Sequence, residues 1–467
     1  MFTRFRVQRP DWLTVEVCER AHHTALRILQ EVGVRVARDD LREQLMRAGL
    51  RSRGEAVLLE PSLVQSHVDD NRRRLAALPR QEPEDDGRLH LDVTCYTYCC
   101  HDPDTGEIAP YTSEKLIEMT RFADAVSSDG VHAGAPGFPS DVPTDLQAVA
   151  QYRIGALYSR SGGDLGGVRS PVALEHIMTM AEAMGRPIRS LPVYIISPLR
   201  LRGESLDLAL HFQDRIESVQ AYSMPAAGAT APIEPFGGLC LALAEVLGGF
   251  VLLRELTKLT VDFALSLYHF DLRAMAMVFG SPENFLLNTL ITDLHSYYGY
   301  RRGRGSGEIY VMAPRPGPQA AAEKASIMTA GALLGSRHFS GAGALSMDDI
   351  FSPQQLLLDR EVRDHVQRLV QGLDLDDSGQ DWVELVRQGT EHGFSALDHT
   401  LDNYRRLYWY PRLFDYSLGQ WKQAAPDWQA RTRRLFHEAL DSQTYELDGP
   451  RRDEIERIWQ KAAKELR

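Results

Sequence analysis

YSMPAAGATAPIEPFGGLCLALAEVLGG, which occupies residues 222–249, passes from one kind of structure to another. The apolar residues 218–222 that lead into it are typical of a buried strand. The loop that follows combines small residues, which leave space for a ligand, with prolines, which stiffen the chain. Residues 237–253 are apolar almost all round, with Glu245 as the one acid, and this predicts a helix buried on every side. A strand, a tight loop and a helix in this order indicate an α/β enzyme whose site lies at the strand ends.

Helical and strand-like segments alternate along most of the remaining chain. Three helical segments predict a helical cap in residues 1–80, and alternating apolar residues around a turn at 102–106 predict a hairpin in residues 89–112. Residues 113–352 contain seven apolar runs separated by helical segments, near residues 131–135, 164–168, 192–197, 218–223, 260–268, 309–313 and 337–342. An eighth strand is expected near residues 372–396, so that residues 353–467 hold the last strand–helix unit and a C-terminal helical region. This alternation fits a (β/α)8 barrel, and a doubly wound open sheet fits it as well.

Composition and charge narrow the class of protein. The formal net charge of −12 and the lack of a long basic block argue against a nucleic-acid-binding protein. No apolar run is expected to reach the ~18–20 residues that span a bilayer, and residues 1–12 lack the apolar core of a secretory signal. Five unevenly spaced cysteines do not suit a disulfide framework, so we expect a reduced, cytoplasmic protein. The apolar helix and the C-terminal helices offer surfaces to bury between subunits, so a homo-oligomer is expected.

Residues that follow the strands are the candidates for the site, because the ends of parallel strands collect at one face. Three titratable side chains at or near such positions are candidate catalytic residues: Glu234, His269 and Asp271. The candidates for substrate binding are aromatic, basic or sulfur-containing: Tyr96, Tyr98, Tyr222, Phe236, Tyr268, Arg273, Met312 and Arg315. Aromatic faces attract a quaternary ammonium group by ~1–2 kcal/mol per desolvated contact. Aromatic rings at these positions also suit the upper layer of a barrel core, so both interpretations stay open.

The run 222–249 also carries a family resemblance. Its pattern Met-Pro-x-x-Gly-Ala-Thr-x-Pro, followed by Gly-Gly and by Ala-Glu-Val-Leu-Gly-Gly, resembles the trimethylamine methyltransferase family, including its members without pyrrolysine. Further matches follow in the family's order at residues 31–36, 197–199, 271–273, 279–283 and 398–400. The resemblance thus extends from near residue 10 to near residue 460, and it favours the (β/α)8 barrel over the open sheet.

The resemblance implies transfer of a methyl group from a methylated amine to the cobalt of a corrinoid (cobalamin) on a separate protein. The partners would be a small methylated amine and that corrinoid protein, and this chain would hold no metal and no tightly bound cofactor. When a quaternary ammonium group gives up one methyl group, the leaving group is a neutral tertiary amine. The site must therefore hold it desolvated and in line, with a methyl carbon facing the opening.

One segment departs from the family pattern. Pro318 stands where pyrrolysine-containing members carry pyrrolysine, and Gly317 stands where the family often has aspartate. Proline can neither donate a proton nor form an adduct, so activation of the pyrrolysine type is excluded at this position. The leading hypothesis is a quaternary ammonium substrate such as a betaine, whose carboxylate would meet Arg315 or Arg273.

Two alternatives remain at this stage. Cys95, Cys99, Cys100 and His101 lie close together in sequence and could form a metal–thiolate site. Their spacing matches no recognised pattern of four ligands, and alternate residues of a strand face opposite sides, which favours buried structural cysteines. The other alternative is a repurposed family member that binds or transforms another methylated compound without a corrinoid.

Overall fold

A computed structural model describes residues 2–3, 12–79, 87–127, 130–300, 307–374, 379–416 and 427–466. The fold belongs to the α/β class, as predicted. Its helices are Val15–Glu31, Asp39–Arg47, Pro61–Ala77, Ser113–Ala125, Thr144–Tyr158, Pro171–Ala183, Glu204–His211, Pro235–Leu256, Pro282–Tyr297, Pro318–Leu333, Pro353–Gln371, Trp382–His392, Asp398–Leu407, Trp428–Ser442 and Gly449–Glu465. Pro235–Leu256 is called the central helix below.

One parallel sheet is built on strands Ser190–Ile196, Ser218–Ser223 and Thr260–Ala264. Ser218–Ser223 lies in the middle and pairs in parallel with both neighbours. The free edge of Ser190–Ile196 pairs with the short antiparallel strand Arg200–Leu201. That strand joins the N-terminal strands, so the sheet extends to seven strands through Val34–Val36, Ala56–Leu58 and Arg51–Arg53.

A second parallel set is formed by His338–Ala342, His90–Val93 and Val131–His132, with His90–Val93 in the middle. A parallel bridge between Glu308 and Ser340 places the residues after 307 along the other edge of His338–Ala342. The remaining strands are Phe2–Thr3 with Leu373–Asp374, Ala226–Ala227 with Tyr268–Asp271 and Ala276–Val278, and Ala344–Leu345 with Ile350–Phe351, Cys99–His101 and Ile108–Pro110.

Most predicted helices and strands are confirmed, but the predicted strands near residues 164–168 and 309–313 are not regular strands. Three further expectations are wrong. The described part of residues 1–80 contains four strands besides its three helices, namely Phe2–Thr3, Val34–Val36, Arg51–Arg53 and Ala56–Leu58. The predicted hairpin is shorter than residues 89–112, because Cys99–His101 pairs with Ile108–Pro110 while His90–Val93 pairs with strands far away in sequence. The region 372–396 holds the helix Trp382–His392 instead of an eighth parallel strand. For His90–Val93 the partner strands are remote in sequence, which local patterning does not reveal.

The central helix is the longest in the described part of the chain. It spans 22 residues, and of the helices described it alone is long and apolar enough to cross a membrane, so the expectation that no run reaches this length is wrong. By burial it is a core helix, because 89% of its most apolar window lies inside the fold. Pro235 occupies its first turn, where a missing N–H group costs nothing.

Two adjacent glycines allow the central helix to be packed closely on two sides. A Cβ atom at Gly248 would lie 2.5 Å from Cγ2 of Val34 in the N-terminal layer. A Cβ atom at Gly249 would lie 2.5 Å from Cδ1 of Ile195 in the parallel sheet. Real carbon atoms do not approach so closely, so the helix lies between these two layers only because both positions lack a side chain.

Glu245, the single acid in the apolar part of the central helix, connects this helix by hydrogen bonds to the turn after Ser190–Ile196. The carboxylate of Glu245 accepts hydrogen bonds from the hydroxyl of Ser197 at 2.8 Å and from the N–H of Leu199 at 2.9 Å. Burial raises the pKa of Glu245 to about 7, although these hydrogen bonds oppose the increase. The acid thereby fixes the turn in which the chain leaves Ser190–Ile196.

The second parallel set has a polar face. The ring of His90 stacks on His338 at 4.7 Å and on His132 at 5.8 Å between centroids. Beyond them, burial and the neighbouring carboxyl of Asp92 together raise the pKa of Asp164 to about 6. His132 and His338 are exposed and His90 is half-buried, so the histidines of this face meet solvent.

We predict that Gly248→Ala and Gly249→Ala each lower the free energy of unfolding by ~1–3 kcal/mol, because the new methyl group overpacks the core. At an unhindered position inside a helix the same change would stabilise by up to ~1 kcal/mol. Gly317→Ala is the control, since a Cβ atom there meets nothing within 4 Å. Denaturant unfolding monitored by circular dichroism measures all three, and an unchanged or higher stability of both helix variants would contradict close packing.

We predict that Asp164→Asn stabilises the protein at pH 8 but not at pH 4. The folded-state pKa of about 6 lies above the ordinary value of 3.8, so the folded state holds this proton more tightly. Stability contributed by this group is present below the unfolded pKa and is lost as the pH rises from about 4 to 6, amounting to ~3 kcal/mol. Thermal unfolding at both pH values measures the gain, with Asp214→Asn on the surface as the control. An equal gain at both pH values would contradict the assignment.

Candidate active site

The site is centred on the carboxyl group of Glu308. The chain around it runs beside His338–Ala342, because the N–H of Ile309 donates to the carbonyl of Ser340 at 2.9 Å and the N–H of Ser340 donates to Gly307 at 2.8 Å. In such an extended segment alternate side chains share a face, so Glu308 and Tyr310 point to the same side. Both are half-buried.

Two tyrosine hydroxyls lead to this acid. Tyr268 donates a hydrogen bond to Oε1 of Glu308 at 3.3 Å, and its oxygen lies 3.1 Å from the hydroxyl of Tyr222. Phe279 packs against Tyr268 at 5.0 Å and against Tyr310 at 6.0 Å between ring centroids. The acid is therefore bordered by rings from three different segments of the chain.

Two further tyrosines continue the aromatic wall. The ring of Tyr194 meets that of Tyr222 edge-on at 5.8 Å. Tyr96 and Tyr194 line one cavity, and the pKa of Tyr96 is raised by Cys95, by burial and by the nearby phenols of Tyr194 and Tyr310. Tyr96 and Tyr194 are each 41% exposed, whereas Tyr268 is buried, so the wall is open to solvent on one side. Together these side chains form what we call the tyrosine cage: Tyr96, Tyr194, Tyr222, Tyr268 and Tyr310.

The electrostatics of the cage suit a cation. Burial raises the pKa of Glu308, and the hydrogen bond from Tyr268 partly opposes this shift. Burial also raises the pKa values of the phenols of Tyr222, Tyr268 and Tyr310, so these rings stay neutral near pH 7. Ionising a buried carboxyl group costs free energy, and a positively charged ligand beside it reduces that cost. Neutral aromatic faces attract the same positive charge.

The cysteines near the cage are packed among protein groups. Burial raises the pKa of Cys95 and raises that of Cys100 to about 12. Nδ1 of His101 lies 3.2 Å from the hydroxyl of Ser352. Within the ranges that the structure describes, no group of three or more His, Cys, Asp or Glu side chains is placed to hold a metal ion.

The structure brings together three of the predicted binding residues, namely Tyr96, Tyr222 and Tyr268. Two others lie elsewhere. Phe236 packs beneath the guanidinium of Arg20 at 5.1 Å, and Tyr98 packs against Phe138 at 5.4 Å.

The predicted charged residues are engaged outside the cage. Asp271 binds Arg273 at 2.6 Å on an exposed hairpin, and Arg315 donates to the carbonyl of Gly106 at 2.5 Å. Nδ1 of His269 lies 3.2 Å from the hydroxyl of Ser281. Glu234 is exposed at the start of the central helix, and Met312 is half-buried in the loop after Val311.

Sequence reasoning missed Glu308, Tyr194 and Tyr310. Tyr194 had a usable signal, because it lies directly opposite Tyr222 in the register of two strands that were both predicted. Glu308 and Tyr310 alternate at the start of a predicted apolar run, near residues 309–313, and that alternation would have placed them on one face.

Comparisons with known proteins identify the family of this chain. The model of the trimethylamine methyltransferase family matches residues 3–466. A trimethylamine methyltransferase of Desulfitobacterium hafniense is 27% identical over 351 residues, which cover 73% of this chain and 69% of that protein. A glycine betaine methyltransferase of Desulfitobacterium hafniense (strain Y51) is 22% identical over 421 residues, which cover 87% of each chain. The crystal structure of the Methanosarcina barkeri monomethylamine methyltransferase aligns with 95% of this chain and 90% of that chain, at 11% identity and a TM-score of 0.47.

The family match covers nearly the whole length, including the segments that build the cage. The chain therefore belongs to the trimethylamine methyltransferase family and is, by that membership, a methyltransferase.

Proposed function

We propose that this enzyme removes a methyl group from a methylated ammonium compound, held against Glu308 in the tyrosine cage, and passes it to the cobalt of a corrinoid on a partner protein. The observation that carries the proposal is a half-buried carboxyl group enclosed by neutral aromatic rings in a member of this family. The named relatives act on trimethylamine and glycine betaine, which both carry methylated nitrogen.

We also propose that the parallel strands close into a (β/α)8 barrel. Eight segments would form the strands of this barrel. They are the six parallel strands already described, residues 163–166 and residues 307–311. The cage supports this arrangement, because Tyr194 and Tyr222 lie near the carboxyl ends of their strands while Tyr96 and Tyr268 follow theirs. Catalytic groups of such barrels collect at these ends.

The side chains of the cage would bind and orient the substrate. A substrate cation next to Glu308 lowers the pKa of that carboxyl, so that the acid is ionised when the site is filled. The rings exclude water around the nitrogen, which strengthens the attraction. When the methyl group departs, the carbon–nitrogen bond breaks and its electron pair stays on nitrogen. The neutral amine that results has lost its charge interaction with Glu308, which favours its release.

The surface beside the cage fits a partner that carries a flat apolar cofactor. Met224 and Ile233, in the segment between Ser218–Ser223 and the central helix, are 39% and 64% exposed. These side chains would face the corrinoid, which when bound supplies a low-valent cobalt that accepts the methyl group. We assign no corrinoid to this chain itself.

Pro318 supports a quaternary substrate. It is the first residue of Pro318–Leu333, and its ring offers no group that could activate an amine. A quaternary nitrogen has no lone pair and needs no such activation. The predicted catalytic roles of Glu234, His269 and Asp271 stay predictions, and we place the binding of the cation on Glu308. We further propose a cytoplasmic homo-oligomer, in keeping with five free cysteines.

A second candidate is a protein that binds or transforms a methylated compound without a corrinoid. The observation in its favour is again Pro318, because the segment that activates trimethylamine in pyrrolysine-containing members is replaced here.

The first experiment incubates the purified protein with cob(I)alamin and a panel of methylated amines. We expect a change in cobalamin absorbance and a demethylated amine, identified by mass spectrometry, with quaternary compounds and not with trimethylamine. Tetramethylammonium binding measured by calorimetry separates the two candidate functions. Binding without methyl transfer would favour the second candidate, and neither binding nor transfer would overturn both.

We predict that Glu308→Gln lowers affinity for tetramethylammonium by ~100-fold or more, because a desolvated charge pair is lost. Calorimetry of the wild-type protein should show affinity falling as the pH is lowered through the raised pKa of Glu308, and the variant should lose this dependence. Glu107→Gln, on an exposed turn, is the matched control. Wild-type affinity in Glu308→Gln would contradict the site.

A further inference from the structure

A cavity of about 300 Å³ lies directly beside the tyrosine cage. Tyr96 and Tyr194 form part of its lining and are therefore shared between the cage and the cavity. Its other walls are mainly apolar and include Leu165, Leu174, Leu191 and Leu208. A molecule held in the cage can thus extend past Tyr194 into a space that suits an apolar chain.

The charged groups of the cavity are mostly basic. Arg169 and Arg202 line it together with the acid Glu204. Both arginines are exposed, and neither forms an ion pair or a side-chain hydrogen bond within the described part of the chain. Arginines nearby are paired, as Arg38 is with Asp207 and Arg215 is with Glu175.

The basic character continues beyond the cavity. Arg202 also borders a neighbouring depression that contains Arg35 and Arg200 and one acid, Glu55. Such a group of arginines stands out in a chain with a formal net charge of −12. Guanidinium groups without partners, at the edge of an apolar cavity, are suited to bind the carboxylate of a ligand whose body is apolar.

We propose that this cavity binds the tail of the substrate, which is a trimethylammonium compound with an apolar chain of several carbons that ends in a carboxylate. The inference rests on the proposed function, because it takes the ammonium group to lie against Glu308. The chain would pass Tyr194, and its carboxylate would meet Arg169 and Arg202.

The charge of Glu308 argues against a short betaine. In trimethylammonioacetate one carbon separates the nitrogen from the carboxylate, so the carboxylate would lie in the cage beside Glu308 and the two negative charges would repel each other. A longer chain carries its carboxylate out of the cage and towards the arginines. Arg273 and Arg315, which the sequence suggested for this role, are engaged by Asp271 and by the carbonyl of Gly106.

Calorimetry with a series of ligands tests the inference in the full-length protein. The series contains trimethylammonioacetate, 4-(trimethylammonio)butanoate and 6-(trimethylammonio)hexanoate, with hexyltrimethylammonium as the analogue without a carboxylate. We expect affinity to rise along the series, with the longest acid binding about tenfold more tightly than hexyltrimethylammonium. The proposal would be overturned if trimethylammonioacetate bound most tightly. It would also be overturned if 6-(trimethylammonio)hexanoate and hexyltrimethylammonium bound equally well.

The double variant Arg169→Gln and Arg202→Gln should remove this tenfold difference and leave tetramethylammonium binding unchanged. Arg121→Gln, at an exposed helical position, is the control. Persistence of the difference in the double variant would overturn the role of these arginines.

Binding of hexanoate separates this inference from the proposed function. If hexanoate binds in an arginine-dependent way while none of the cations bind, the ammonium site fails and an anion site alone remains.

Discussion

The packing of one apolar helix between two layers is the constraint on which the rest of the structure depends. Gly248 and Gly249 are adjacent, so they point about 100° apart around the helix axis and can face different layers. The N-terminal strands therefore lie at contact distance on one side and the parallel sheet on another. This close packing fixes the position of Ser218–Ser223, the strand that precedes the helix and carries Tyr222.

Glu245 couples this packing to the functional end of the sheet. Its hydrogen bonds hold the turn after Ser190–Ile196, the strand on which Tyr194 stands. An acid in an apolar helix is costly unless its oxygens accept hydrogen bonds, so the helix and the turn must be formed together. The family patterns at 197–199 and 244–249 are thus two halves of one interaction, which supports the strand that carries Tyr194.

Elements whose causes are local could be predicted from the sequence. The central helix and Ser218–Ser223 follow from composition and periodicity, and Tyr222 and Tyr268 follow from their places at strand ends. Glu308 could not be identified in this way, because its position depends on pairing with Ser340, and His90–Val93 was misassigned because its partners lie far away in sequence. The charged residues predicted for the site, Asp271 and Arg273, lie outside the cage for another reason. Asp271 and Arg273 are two residues apart in a turn, so each satisfies the other.

The position of Glu308 also bears on how such a site could promote methyl transfer. Attraction between the acid and the substrate cation is strongest before reaction and disappears when the nitrogen becomes neutral, so by itself it would stabilise the ground state and slow the reaction. Burial makes the carboxyl of Glu308 costly to ionise, and this cost offsets part of its attraction for a cation in the filled site. In the proposed function the aromatic rings would therefore contribute orientation and desolvation, and the charge of Glu308 would favour cations over neutral molecules.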